Sequence, residues 1–194
     1  MVERGPSHRS GTAVVAIIAT YVYFLLFAQY GFIRLITSRG GEALLVDRAM
    51  GGMGLSGLAA SFAAAWLLNR VTAIRLLRFS FLGCGFAALM ALCPHPAVTL
   101  ASSILIGAST GVLTVTLAAH LRRLITGPYF GLLAGTATGV AYAICNIPPL
   151  FDGRPLVQAL FSAGVCAIGF LAISTLPRPT TEAAPACPGL TRSD

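Results

Sequence analysis

"GLLAGTATGVAYAICNIPPLF", residues 131–151, has the apolar content of a buried helix but carries Gly131, Gly135 and Gly139 at four-residue intervals. In a water-exposed helix each such glycine costs up to about 1 kcal/mol relative to alanine. Successive four-residue steps advance about 400°, so the three glycines drift by only about 40° per step and stay on one stripe. In lipid the balance differs. Apolar side chains gain little by meeting each other there, and helices associate by close backbone approach, which small residues permit. The stretch therefore reads as a membrane-spanning helix with a flat groove along one side.

The rest of the chain agrees. Of its 194 residues 56% are hydrophobic and only 10% charged, against roughly a quarter charged in an ordinary soluble domain. Six apolar segments follow one another, at about 12–35, 48–68, 76–93, 97–119, 128–150 and 156–176. A bilayer core needs about 20 helical residues. The breaks carry turn-forming residues: "SRGGE", "NRVTAIR", "CPHP", "HLRRLITGP" and "FDGRP". No segment alternates as a strand does. The expected fold is all-α, a polytopic bundle of six transmembrane helices over 12–176. It lies between a short N-terminus (1–11) and a tail (177–194) whose proline-, threonine- and alanine-rich composition predicts disorder. The first segment is too long for a signal peptide and lacks an A-x-A site.

The net charge is +7, and all 13 basic residues are arginine. They form no dense run of the kind a nucleic-acid surface needs, so no nucleic-acid partner is expected. Arg4, Arg9, Arg70, Arg75, Arg78, Arg122, Arg123, Arg178 and Arg192 flank one set of segment ends, and Arg34, Arg39, Arg48 and Arg154 the other. Positive residues favour the cytoplasmic side. Both termini are therefore expected in the cytoplasm, with the chain multi-pass in the cell (inner) membrane. An even number of spans follows. Cys84, Cys93, Cys145, Cys166 and Cys187 form no CxxC pair. They are read as small hydrophobes, with no metal or disulfide expected.

The layout resembles the N-terminal half of a major facilitator superfamily (MFS) transporter. Three features carry the resemblance. One is six spans with both ends inside. Another is the second connection, "AWLLNRVTAIR" (65–75), where Asn69 and Arg70 fall on the Asp-Arg of the family's G-x-L-x-D-R-x-G-R-R. Ala65 and Thr72 replace its glycines, and Ala73 and Ile74 its basic pair, with Arg75 just beyond. The last is the small-residue rhythm of the fourth and fifth segments. Family members usually have twelve spans, so the resemblance implies a half, or hemi, facilitator. Such a half would work by self-association or with a separate second six-span half, and would hide a three-plus-three inverted repeat.

Polar residues inside spans are costly and mark function. Tyr23, Phe27, Tyr30 and Arg34 share one α-helical face of the first span, with Gln29 beside it. Ser103, Gly107, Thr110 and Thr114 share a stripe on the fourth, and Tyr142 and Asn146 continue the glycine side of the fifth. The family's cavity would be lined by these spans and the second. Tyr23, Gln29, Tyr30, Arg34, Thr110, Thr114, Tyr142 and Asn146 are thus candidates for a solute path. Asn69, Arg70 and Arg75 are candidates for a gate. Gly54, Gly57 and Ser61 on the second span, with Gly131, Gly135 and Gly139, are candidates for helix packing or a partner surface.

Hydrolase signatures are incomplete. "GASTG" (107–111) matches a nucleophile elbow, but Ser109 sits in an apolar helical run instead of a strand–turn–helix. "GLSG" (54–57) matches the serine motif of rhomboid proteases, which also have six spans. There the serine is on the fourth span and its histidine on the sixth; here Ser56 is on the second and the sixth has no histidine. No phosphate loop, HExxH or dinucleotide fingerprint occurs, so no cofactor is expected. No Asp or Glu lies mid-span, since Asp47 and Asp152 are at segment ends. The expectation is a half-size transport module for a small solute and not an enzyme. The alternatives are a non-transporting membrane subunit or assembly factor and, more remotely, an intramembrane hydrolase.

Overall fold

The structure, a computed structural model, describes the backbone of residues 6–125 and 130–176, with side chains from Ser10 onward except 122–124. Of the expected terminal segments 1–11 and 177–194, residues 1–5 and the whole of the second lie outside the described residues, as do the side chains of Arg4, Arg9, Arg122, Arg123, Arg178 and Arg192.

Among the described residues the fold is all-helical. Helix α1 (6–38) joins an α-helical Pro6–Val22, a π-helical Tyr23–Gly31 and an α-helical Phe32–Ser38. It is followed by α2 (Ala43–Leu67), α3 (Ala73–Met90), α4 (Pro96–Leu124), α5 (Phe130–Cys145) and α6 (Pro155–Ser174). A single helical turn, Pro148–Phe151, lies between α5 and α6. Five helices are long and apolar enough to cross a membrane: Ser10–Ser38, Ala43–Leu67, Ala73–Met90, Pro96–Leu121 and Pro155–Ser174. The sixth, α5, has 16 residues, a rise of about 24 Å against a hydrocarbon core of about 30 Å. Its expected extension to residue 150 does not form. Ile147 is extended, at φ −68° and ψ 116°, because the following Pro148 disfavours helix in the residue before it.

Local chemistry fixes the breaks. "SRGG" closes α1 as a Schellman cap: Gly41 N–H donates to the Ile36 carbonyl and Gly40 N–H to that of Thr37. Gly40 takes φ +73°, which suits only a residue without Cβ. Pro96 and Pro155 open α4 and α6, where their missing N–H costs nothing.

The packing has a repeating logic. The largest interfaces are α2 on α4, α3 on α4, α3 on α6, and α1 on both α5 and α6, with a smaller one between α1 and α4. Exchanging α1 with α4, α2 with α5 and α3 with α6 leaves this pattern unchanged. Each half of the chain thus lends its middle helix to the first helix of the other half. An odd number of helices per half makes the two halves run in opposite directions.

The two lent helices are held differently. On α4 a Cβ at Gly107 would run into the Met53 carbonyl, and one at Gly111 into the Gly57 carbonyl. A Cβ at Gly57 would come within 3.3 Å of the Gly107 carbonyl. Here α2 and α4 meet backbone to backbone. On α5 the inward face is Ala137, Ala141 and Cys145; Ala141 and Cys145 pack with Val22 and Leu26 of α1, and Ala137 joins the main core. The outer side of α2 is bare, with Leu55, Leu58, Phe62 and Trp66 exposed, Phe62 at 72%. In water this would be a liability; against lipid tails it is ordinary.

Candidate functional site

The ends of α1, α3 and α5 gather at one end of the bundle, here the far end. The guanidinium of Arg39, just past α1, donates to the Ala91, Leu92 and Cys93 carbonyls at 2.9, 2.7 and 3.3 Å. These are orphan carbonyls at the C-terminus of α3, where a cation is favoured. Arg34 donates to the Phe151 carbonyl at 2.6 Å. Gln158, in the first turn of α6 and only 1% exposed, donates to the carbonyls of Leu150 (3.0 Å) and Phe151 (2.8 Å). Its Oε1 accepts no hydrogen bond and faces Gly31, where a Cβ would come within 3.1 Å of it. The Tyr30 ring meets Phe151 edge-on at 5.7 Å. Tyr30 (52% exposed), Arg34 and Gln29 remain accessible beside this clamp.

Tyr23 does not join them. It is fully buried, 5.8 Å from Phe27, so the expected single face of α1 is split. The cause is the π-helical stretch, in which Phe32 N–H bonds the Phe27 carbonyl five residues back. Such a turn holds about 4.4 residues and advances about 82° per residue instead of about 100°. From Tyr23 to Tyr30 the slip amounts to about 130°. That turns Tyr23 and Phe27 inward and Tyr30 and Arg34 outward. π-Helical turns occur often at functional sites.

The other solute-path candidates lie along α4 and α5. Thr110 is buried with its hydroxyl unpartnered, whereas Thr114 is exposed and donates back to the Thr110 carbonyl at 2.9 Å. Ser103 and Gly107, on the same stripe, are taken up by packing against α2. Tyr142 and Asn146 are exposed on α5, and the Asn146 amide donates to the Tyr142 carbonyl at 2.8 Å, capping its own helix.

At the opposite, near end, Asn69, Arg70 and His120 line an open groove of about 340 Å³ with Leu68, Thr72 and Ile74. Arg70 lies over the Trp66 ring at 4.5 Å, a cation–π contact back onto the last turn of α2. Arg75 is exposed. The packing candidates divide too. Gly57 and Ser61 face α4, with Gly111 against both, so they pack within the chain. Gly54, Gly131, Gly135 and Gly139 are exposed, and a Cβ at any of the four would meet nothing within 4 Å.

Two features escaped the sequence reading. Gln158 is a lone amide in the apolar run "PLVQALFSAG", and an amide at that depth is itself a signal. The other is an internal repeat: "FSFLGC" (79–84) on α3 and "FSAGVC" (161–166) on α6 share F-S-x-x-x-C. These helices exchange with each other in the packing pattern, and Ser80, Ser162, Cys84 and Cys166 are all buried. No family model, curated protein or solved structure matches the chain.

Proposed function

We propose that the chain is a half-size, MFS-like membrane transport module in the cell (inner) membrane. All six helices span, both termini are cytoplasmic, and a second copy or a separate six-span half completes it. The observation that carries this reading is the exchange of α2 and α5 between two oppositely directed triplets, the pattern of inverted-repeat transporters. In such proteins the solute site lies where two repeats or bundles meet. The accessible polar groups Gln29, Tyr30, Arg34, Thr114, Tyr142 and Asn146 supply hydrogen-bonding partners for a small polar solute. Ser109 and Ser56, the serines of the two hydrolase-like motifs, lie within helices α4 and α2.

A second reading, a non-transporting subunit or assembly factor on the same scaffold, is favoured by one observation. Two of the expected path residues, Tyr23 and Thr110, are buried in packing. Purified protein in proteoliposomes separates the two. Counterflow of any solute from a panel of small polar metabolites supports transport. Co-purification with a fixed set of unrelated subunits, without flux, supports the assembly role.

A further inference from the structure

The two ends of the bundle differ in charge. Among the described residues the acidic ones, Glu42, Asp47 and Asp152, all stand at the far end. The near end carries Arg70, Arg75 and Arg78 and, among those residues, no carboxylate. Arg78 is already engaged, donating to the Ser174 carbonyl at 3.2 Å. Arg70 and Arg75 are exposed and hydrogen-bond no described residue. The near-end groove lies in this cationic setting, between the 68–72 connection and His120 of α4. Its exposed Asn69 amide and Thr72 hydroxyl also hydrogen-bond no described residue. The contact with Trp66 at 4.5 Å uses the face of the Arg70 guanidinium. The N–H fork lies in the guanidinium plane and stays available to a bidentate oxyanion. Unpaired donors beside uncompensated positive charge suit an anion and repel a cation.

The depth of the groove indicates what carries that anion. It begins at Leu68, one residue past the apolar span Ala43–Leu67, where the hydrocarbon core gives way to headgroups. Trp66, a residue type that favours this interface, joins the groove to the bare face of α2. Leu55, Leu58, Phe62 and Trp66 are all exposed there, at helical spacings of three and four that keep them on one side. Anion-binding donors thus stand directly above an open apolar strip.

We propose that this groove holds the phosphate of an anionic phospholipid, gripped by Arg70, Asn69 and Thr72, with the acyl chains lying along Leu55, Leu58 and Phe62. The single negative charge of the phosphodiester is matched by the one arginine of the groove. A zwitterionic lipid is disfavoured, because its choline brings a second cation to an end that is already cationic. The inference needs the chain to lie in a bilayer and does not depend on transport.

The test uses the full chain in detergent micelles doped with phosphatidylglycerol or with phosphatidylcholine. Trp66 is the only tryptophan and reports on the groove directly. The expected result is a saturable change in its emission with phosphatidylglycerol and one such lipid retained per chain in native mass spectrometry. The preference over phosphatidylcholine should be at least about fivefold, the usual effect of one arginine near a lipid surface. Arg70→Gln should abolish that preference. Asn69→Leu should weaken retention about fivefold, as expected for one lost hydrogen bond, and leave the lipid-free Trp66 emission unchanged. Arg48→Gln, at an exposed arginine of the far end, should change neither. Equal retention of the two lipids by the parent protein would overturn the site without relying on any variant's folding. So would an equal loss in Arg48→Gln and Arg70→Gln, the mark of general attraction to a chain of net charge +7. Saturation of the Trp66 change by inorganic phosphate alone, at the concentrations effective for the lipid, would overturn the lipid assignment and make the groove a site for soluble phosphate.

Discussion

Replacing Gly107 by alanine adds one methyl group, and its Cβ would enter the space of the Met53 carbonyl and the Ser56 hydroxyl. A carbonyl on a helix backbone cannot turn aside as a flexible side chain can. The whole of α2 must therefore move off α4. Overpacking of this kind costs about 1–3 kcal/mol. The figure belongs in the upper half of that range, because α2 has its main interface with α4 and little elsewhere to compensate. For a chain of this size about 2 kcal/mol lowers the unfolding midpoint by roughly 4–8 °C. Gly135→Ala is the matched control, since a Cβ there meets nothing within 4 Å and alanine is the better helix former. It should leave the midpoint unchanged or raise it slightly. Thermal unfolding in detergent can be followed by reaction of the buried thiols of Cys84, Cys145 and Cys166 with a fluorogenic maleimide. Equal midpoints for the two variants would refute the backbone-to-backbone crossing of α2 and α4.

Arg39→Gln removes three carbonyl contacts at the end of α3, most of them exposed. It should cost about 1 kcal/mol or less, read as a small drop in the same midpoint. Arg70→Ala strips the cation from Trp66, the only tryptophan; its emission and its quenching by iodide should change, with a stability loss below about 1 kcal/mol. Gln158→Leu frees the Leu150 carbonyl and leaves that of Phe151 to Arg34 alone. It should cost about 1–3 kcal/mol and open the 148–154 segment to limited proteolysis, and unchanged cleavage there would count against the clamp. A reporter fused after Leu176 should be active only as a cytoplasmic reporter, and an external signal would exclude six spans with the N-terminus inside.

The sequence made the helical bundle and its breaks legible because those depend on local chemistry. "SRGG" announces the Schellman cap at Gly40, and the prolines at 96, 148 and 155 announce where helices begin or cannot continue. The sequence pattern alone did not disclose the hydrogen-bond register within α1. A switch to five-residue bonding leaves no compositional mark in "YFLLFAQYG", yet it moves Tyr23 and Tyr30 to different sides. Glycine stripes were equally ambiguous. Gly57 and Gly135 look alike in sequence, but one lies under α4 and the other is open, because burial depends on which helix the fold brings alongside. Gln158 and the F-S-x-x-x-C pair were present as weak signals, and only the packing of α6 against α1 and α3 shows what they meet.

The central claim is that this is half of a working unit whose exposed α5 face meets a second half. Cysteine placed at Gly135, in a chain whose Cys93 and Cys187 are replaced by Ala, tests it in native membranes with a short bis-maleimide crosslinker. Cysteine at Phe86, 60% exposed on α3, is the lipid-facing control. A half-size module requires a discrete higher-mass adduct from Gly135Cys and none from Phe86Cys, shared between two differently tagged copies or formed with one six-span partner. A Gly135Cys protein that is folded, monomeric and free of any adduct would contradict it.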